Sequence, residues 1–158
     1  MASSLYGNPR FTNDLDVVVD LESRHLDSLL QKFPQPPYYI SEAAVKDAIL
    51  RRTQFNIIDV VEGFKVDVMV PERNEFNTSR FARKRILPLG PTAFANYASP
   101  EDVVLKKMEY YRDGESEKHI KDIETILQMR NTELDFTYLR NWSERLGLSS
   151  ILERFVMN

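Results

Sequence analysis

Cysteine is absent from the sequence, so no disulfide framework, thiol nucleophile or cysteine-rich zinc site can be built from it. Histidine occurs twice, at His25 and His119, too far apart in the chain to form a multi-histidine metal site by themselves. A metal would therefore be bound through oxygen, which selects hard cations such as Mg²⁺. No apolar run approaches the roughly 18 residues of a membrane span. The first residues carry no basic stretch followed by an apolar one, so no signal peptide is read and a cytoplasmic location is expected. Neither sign of charge dominates: 21 Lys and Arg face 24 Asp and Glu, a formal net charge of -3. That balance excludes a polycation that coats nucleic acid and leaves room for a local basic groove. Gly-rich phosphate loops of the common types, a Ser-His-Asp spacing, repeats and low-complexity segments are all missing. What remains is an ordinary folding composition, 42% hydrophobic and 28% charged. Its 158 residues suffice for one domain, or for a core with a helical appendage.

Local patterns divide the chain. Residues Asp14 to Leu21 are strongly β-forming around three consecutive valines, after a loop punctuated by Gly7, Asn8 and Pro9. Leu26, Leu29, Leu30 and Phe33 follow at helical spacing until Pro34-Gln-Pro-Pro37 stops them. Ser41 and Glu42 open a second helix, with Ala44, Val45, Ala48 and Ile49 on one face. Phe55 to Val61 and Phe64 to Val70 read as a β-hairpin about Glu62-Gly63, which pairs Val61 with Phe64 and puts Ile58 opposite Asp67. Phe76 to Arg85 is an amphipathic basic stretch, and Ile86 to Tyr97 is irregular or short-strand chain broken by Pro88, Gly90 and Pro91. From Ser99 the pattern is helical. Ser99-Pro-Glu-Asp102 reads as a capping box in which Asp102 reaches back to the Ser99 N–H. Helical faces follow at Val104, Met108 and Tyr111, then Ile120, Ile123 and Leu127, then Leu139, Trp142 and Leu146, with a short last helix over Ile151 to Val156. The expected organisation is an α+β fold, a core over residues 1–98 and a helical part over 99–158.

Three acids carry the chemical interest. Asp14 and Asp16 stand two apart at the mouth of a strand, on one face and with Cα atoms roughly 6.5–7 Å apart. That spacing suits two carboxylates converging on one cation, or straddling two cations about 3.5–4 Å apart. Asp67 interrupts an apolar strand, either because that strand is exposed on one face or because it joins the same site. Asp59, of opposite parity in the partner strand, points to the other sheet face. Arg83 and Arg85 in the basic stretch either neutralise phosphates or line a solvated helix face. Lys107 either snorkels from a buried helix face or contacts a ligand. His119 and Asp122, one helical turn apart, can pair with each other.

Together these residues resemble a known family. Tyr6-Gly-Asn-Pro-Arg-Phe-Thr-Asn-Asp-Leu-Asp16 is similar to the signature of minimal bacterial nucleotidyltransferases of the DNA polymerase β-like superfamily, close to abortive-infection toxins. Ser99-Pro-Glu-Asp-Val-Val-Leu-Lys-Lys107 and His119-Ile-Lys-Asp-Ile123 resemble that family's later helical motifs. The resemblance implies a mixed sheet flanked by helices, with Asp14, Asp16 and Asp67 as catalytic metal ligands for Mg²⁺ (or Mn²⁺). On this reading Arg10, Thr12, Lys107, Arg83 and Arg85 bind substrate, with Lys107 expected to hold the triphosphate or the acceptor and Arg83 and Arg85 to border the cleft and favour a polyanionic acceptor. The reaction implied is transfer of a nucleoside monophosphate to a hydroxyl of an RNA, a protein or a small molecule by a two-metal mechanism. A non-catalytic binding module or a remnant of a toxin–antitoxin system is the alternative, and a Mg²⁺ nuclease a third. The family also carries a Gly-Ser or Gly-Gly pair upstream of the first acid, which here would fall at or before Met1. Its lack implies that residues 1–5 are a helix remnant, that triphosphate is gripped poorly, and that a bare sheet edge favours a homo-oligomer.

Overall fold

The computed structural model describes residues 6, 14–114, 116–130 and 132–156; of Asp14 and Arg130 the backbone alone is described. The fold is α+β, and the chain forms two units, residues 14–77 and residues 78–156 together with Tyr6.

In the first unit, alternation along each strand decides the layering. Strands β1 (Asp14–Val18), β2 (Tyr38–Ile40), β3 (Gln54–Asp59) and β4 (Phe64–Met69) form one sheet in the order β1-β4-β3-β2. The β1–β4 pairing is parallel and the other two are antiparallel. Phe55, Ile57, Val68, Val70 and Ile40 fall on the same face and are buried. Helices α1 (Leu26–Lys32) and α2 (Glu42–Arg51) cover them with Leu26, Leu29, Leu30, Val45, Ala48 and Ile49. A sheet covered on one side needs this period-two pattern. Ser41 caps α2, its Oγ accepting the Ala44 N–H at 3.3 Å. At the other end Arg52 turns left-handed (φ 55) and donates to Asp20 Oδ1 at 3.0 Å, fixing the helix exit beside the end of β1. Strand β2 was not read from the sequence: three residues after a proline cluster are too few to show a pattern, and pairing with β3 makes them a strand.

The β3–β4 hairpin corrects the expected register by two residues. Asp59 pairs with Phe64 and Asn56, not Ile58, lies opposite Asp67. A two-residue turn at Glu62-Gly63 would need φ > 0 at both positions, which glutamate resists. The chain instead uses four turn residues, 60–63, closed by the Gly63 N–H on the Asp59 carbonyl at 2.9 Å. The Asp59 carboxylate accepts the Val61 and Glu62 N–H groups, each at 3.0 Å. Only Gly63 takes positive φ, at 71°. A shift by two preserves parity, so Asp59 is on the opposite face from Asp67, as expected.

In the second unit, α3 (Glu75–Ala82) runs in from the end of the first, and β5 (Arg85–Pro88) and β6 (Phe94–Tyr97) form a hairpin. Helices α4 (Pro100–Gly114), α5 (Glu117–Arg130), α6 (Phe136–Arg145) and α7 (Ser149–Val156) follow. Helix α4 is buried on nearly every side through its first two turns, from Pro100 to Leu105. Leu105, Met108, Ile123, Ile126, Leu139 and Leu148 are fully enclosed. Among the described residues no helix is long and apolar enough to cross a membrane.

The two glycines 63 and 114 should respond oppositely to alanine. A Cβ meets nothing within 4 Å at either site, but only Gly63 has positive φ. Gly63→Ala should lose about 1–2 kcal/mol through the left-handed backbone, whereas Gly114→Ala, at the end of α4, should be neutral or gain up to ~1 kcal/mol. Denaturant unfolding of the two variants checks the contrast.

Candidate functional site

Parallel register brings two of the three acids together. Asp16 of β1 is the pairing partner of Asp67 of β4, so both stand on the face away from the helices, one strand spacing of about 4.8 Å apart. Asp14 occupies the first position of β1 and pairs with Lys65; its side chain lies outside the described residues. Asp16 is exposed and the Asp67 side chain is 20% exposed.

Asp67 has protein partners on both oxygens. Lys65, two residues earlier on the same strand face, places its ammonium 3.1 Å from Asp67 Oδ2. Asn56, directly across in β3, donates to Asp67 Oδ1 at 2.6 Å and to the Phe55 carbonyl at 3.2 Å once its amide is turned so that nitrogen faces the acceptors. Neither partner was picked out in the sequence. Lys65 had a signal, since i and i+2 share a strand face. Asn56 had none, because its position depends on the four-residue turn.

The donor set suits a hard divalent cation: an exposed carboxylate at Asp16 and a partly buried one at Asp67, no thiolate, and no histidine in the strands. Among the described residues no group of three His, Asp or Glu side chains is assembled to hold a metal. The third acid of the expected set is Asp14.

The other expected site residues fall elsewhere. Arg10 and Thr12 lie outside the described residues, as do residues 1–5. Lys107, on α4, is buried and bonds Asp122 Oδ2 of α5 at 2.6 Å, an ion pair rather than a snorkelling contact with water. The partner expected for Asp122, His119, packs against Tyr110 with the rings tilted by 36° and their centroids 5.5 Å apart, and burial lowers its pKa. Arg83, just past α3, lies 3.3 Å from Glu101 Oε2 and 3.8 Å from Asp135 Oδ2, and packs over the Tyr138 ring at 3.9 Å. Arg85 lies 4.0 Å from Glu133 and over the Tyr6 ring at 5.9 Å. Lys107, Arg83 and Arg85 thus all have acidic partners within the second unit.

The Ser99–Asp102 motif has a structural job. Ser99 Oγ accepts the Asp102 N–H at 3.2 Å, the first half of the expected capping box. The second half differs: the Asp102 carboxylate accepts the Ser99 hydroxyl at 2.8 Å instead of reaching the Ser99 N–H. Its other oxygen accepts the Tyr138 hydroxyl at 2.8 Å. With that proton committed, Ser79 Oγ, 3.0 Å from the Tyr138 oxygen, is the donor there. Burial pushes the Asp102 carboxyl up, outweighing these hydroxyls and the charges of Arg80 and Arg83. Burial, reinforced by Asp102, carries the Tyr138 hydroxyl to about 12. Glu101 goes the other way. Burial would raise it, but the N–H groups of Asp135 and of Glu101 itself and the Arg83 charge hold it below the usual carboxylate range.

Comparison with models of known protein families finds no match, and comparison with curated protein sequences finds none either.

The opposite shifts of these two buried neighbours predict opposite pH dependence. Glu101, with its folded-state pKa lowered, adds stability above its unfolded value and loses it as pH falls through the folded one. Asp102, raised, costs stability as pH climbs from its unfolded to its folded value. Glu101→Gln should therefore destabilise most at neutral pH, with the deficit shrinking in acid, while any deficit of Asp102→Asn should shrink toward neutral pH. Denaturant unfolding at both pH values measures this.

Proposed function

We propose that this chain is a Mg²⁺-dependent nucleotidyltransferase that moves a nucleoside monophosphate from a triphosphate to a hydroxyl acceptor. The observation that carries the reading is the in-register pair Asp16 and Asp67 on the open face of the sheet, with Asp14 two positions ahead on β1. The sequence resemblance over Tyr6–Asp16, which ends in two of these acids, Asp14 and Asp16, supports it as well. Asp14, Asp16 and Asp67 are the residues that would hold Mg²⁺ or Mn²⁺. When bound, such cations offset charge on the leaving pyrophosphate and ease loss of the acceptor proton. The chain's own residues do the positioning. The buried side of β3 and β4, filled by Phe55, Ile57 and Val68, fixes β4, which carries Asp67 and pairs with β1, the strand of Asp14 and Asp16. Asn56 holds one Asp67 oxygen and so sets the plane of that carboxylate. With the acceptor hydroxyl near it, Asp67 is the group to take up or orient the acceptor's proton.

One observation favours a second reading, a non-catalytic module that keeps the acidic face. Lys65 supplies Asp67 with a counter-charge from its own strand, its ammonium 3.1 Å from Oδ2.

Manganese titration separates the two. Wild type should bind Mn²⁺ weakly, and Asp16→Asn or Asp67→Asn should each weaken binding by roughly tenfold or more, as loss of a metal-site group does. Equal affinity in wild type and both variants would refute the cation site and leave the non-catalytic reading.

A further inference from the structure

Lys65 is the basic residue carried by the strands of the first unit, and the functional reading leaves it unused although it stands on the acidic face itself. It is the pairing partner of Asp14, shares a strand face with Asp67, and contacts Asp67 at 3.1 Å. Its side chain is 39% exposed, so its four-carbon stem has room to turn its head away from the sheet. Asn56 contrasts with it. A neutral amide donor can stay on Asp67 Oδ1 while the carboxylate binds a cation. An ammonium cannot hold Oδ2 on the same terms, because it carries the charge the cation would bring.

We propose that Lys65 is an exchangeable internal cation: it neutralises Asp67 when no metal is bound, yields that oxygen to a divalent cation, and then contacts the triphosphate. This rests on the reading of Asp14, Asp16 and Asp67 as metal ligands. The energetic argument is one of competition. A partly exposed ion pair is weak enough to be displaced, yet its loss and the repulsion between like charges both count against the incoming cation. A polyphosphate reverses the sign, since it gives the displaced ammonium an anionic partner beside the carboxylates. Lys65 is thus a positioning and selectivity residue, one that disfavours a bare cation and favours a cation that arrives with phosphate.

The signature is a pair of effects of opposite sign, which a merely structural lysine would not produce. Mn²⁺ alone should bind roughly three- to tenfold more tightly to Lys65→Met than to wild type. A non-hydrolysable nucleoside triphosphate, added with saturating Mg²⁺, should bind more weakly to Lys65→Met by a similar factor. Lys65→Arg should track wild type in both titrations because it keeps the charge, and circular dichroism should show all three folded alike. Unchanged or weaker Mn²⁺ binding in Lys65→Met overturns the exchange. Tighter Mn²⁺ binding with unaltered nucleotide affinity overturns the phosphate contact. Asp16→Asn separates the two levels. If wild type binds no Mn²⁺, or Asp16→Asn binds as well as wild type, the cation site falls and this inference falls with it. If Asp16→Asn loses Mn²⁺ while Lys65→Met does not differ from wild type, only the inference falls.

Discussion

A strand buried on one face has only its other face for solvated polar groups, and in the first unit this constraint puts Asp16, Lys65 and Asp67 together, leaving Asp59 to the end of β3 where it caps the turn. Phe55, Ile57, Val68 and Val70 commit the lower face to helices α1 and α2. Moving any strand by one residue would bury its polar set and expose its apolar one, so the register is locked. Asp16, Asp67, Lys65 and Asn56 are then gathered on the open face by pairing, not by any loop. An active site built on strands inherits their rigidity, which is why a two-carboxylate arrangement on β1 and β4 is suited to chemistry that needs fixed geometry.

The second unit solves the reverse problem, that of placing charge where water is excluded. Glu101 and Asp102 sit in the first turn of α4 and are fully buried. Each is stabilised by a different device, Glu101 by a backbone N–H and the Arg83 guanidinium, Asp102 by two hydroxyls. Breaking such a network strands a buried polar group and costs about 1–3 kcal/mol or more. The Ser99–Asp102 motif, which in sequence supports a functional resemblance, is therefore fully engaged in joining α3, α4 and α6. Arg83 serves the same network. A basic residue beside a run of arginines is easily read as a phosphate ligand, and its partners here are carboxylates of its own unit.

How much of this was legible in the sequence depends on the range of the interaction involved. The strand over β1, the helices with apolar residues at three- and four-residue spacing, and the start of α4 at Ser99 follow from local pattern. The face assignments of Asp59 and Asp67 follow too, because parity survives a two-residue shift. The shift itself was not legible. It depends on the Asp59 carboxylate capping its own turn, a preference that competes with the Glu62-Gly63 dipeptide. The three-residue β2 exists through pairing with β3, and the links from Arg83 to Glu101 and from Lys107 to Asp122 join residues 18 and 15 apart, beyond the reach of any helical or strand period. In the candidate site, the two acids were legible as types in a pattern and Lys65 as their neighbour by strand period, whereas the amide partner Asn56 depended on the register.

The account as a whole turns on whether the acidic face directs phosphate chemistry at the α-phosphorus. The most direct measurement is incubation of the chain with Mg²⁺, a cell lysate and nucleoside triphosphates carrying label on either the α- or the γ-phosphate, for wild type and Asp67→Asn in parallel. Nucleotidyl transfer predicts that α-label becomes attached to an acceptor, that γ-label leaves as pyrophosphate, and that both signals fall together in Asp67→Asn. Attachment of the γ-label, absence of α-label transfer by wild type, or α-label transfer undiminished in Asp67→Asn would contradict it.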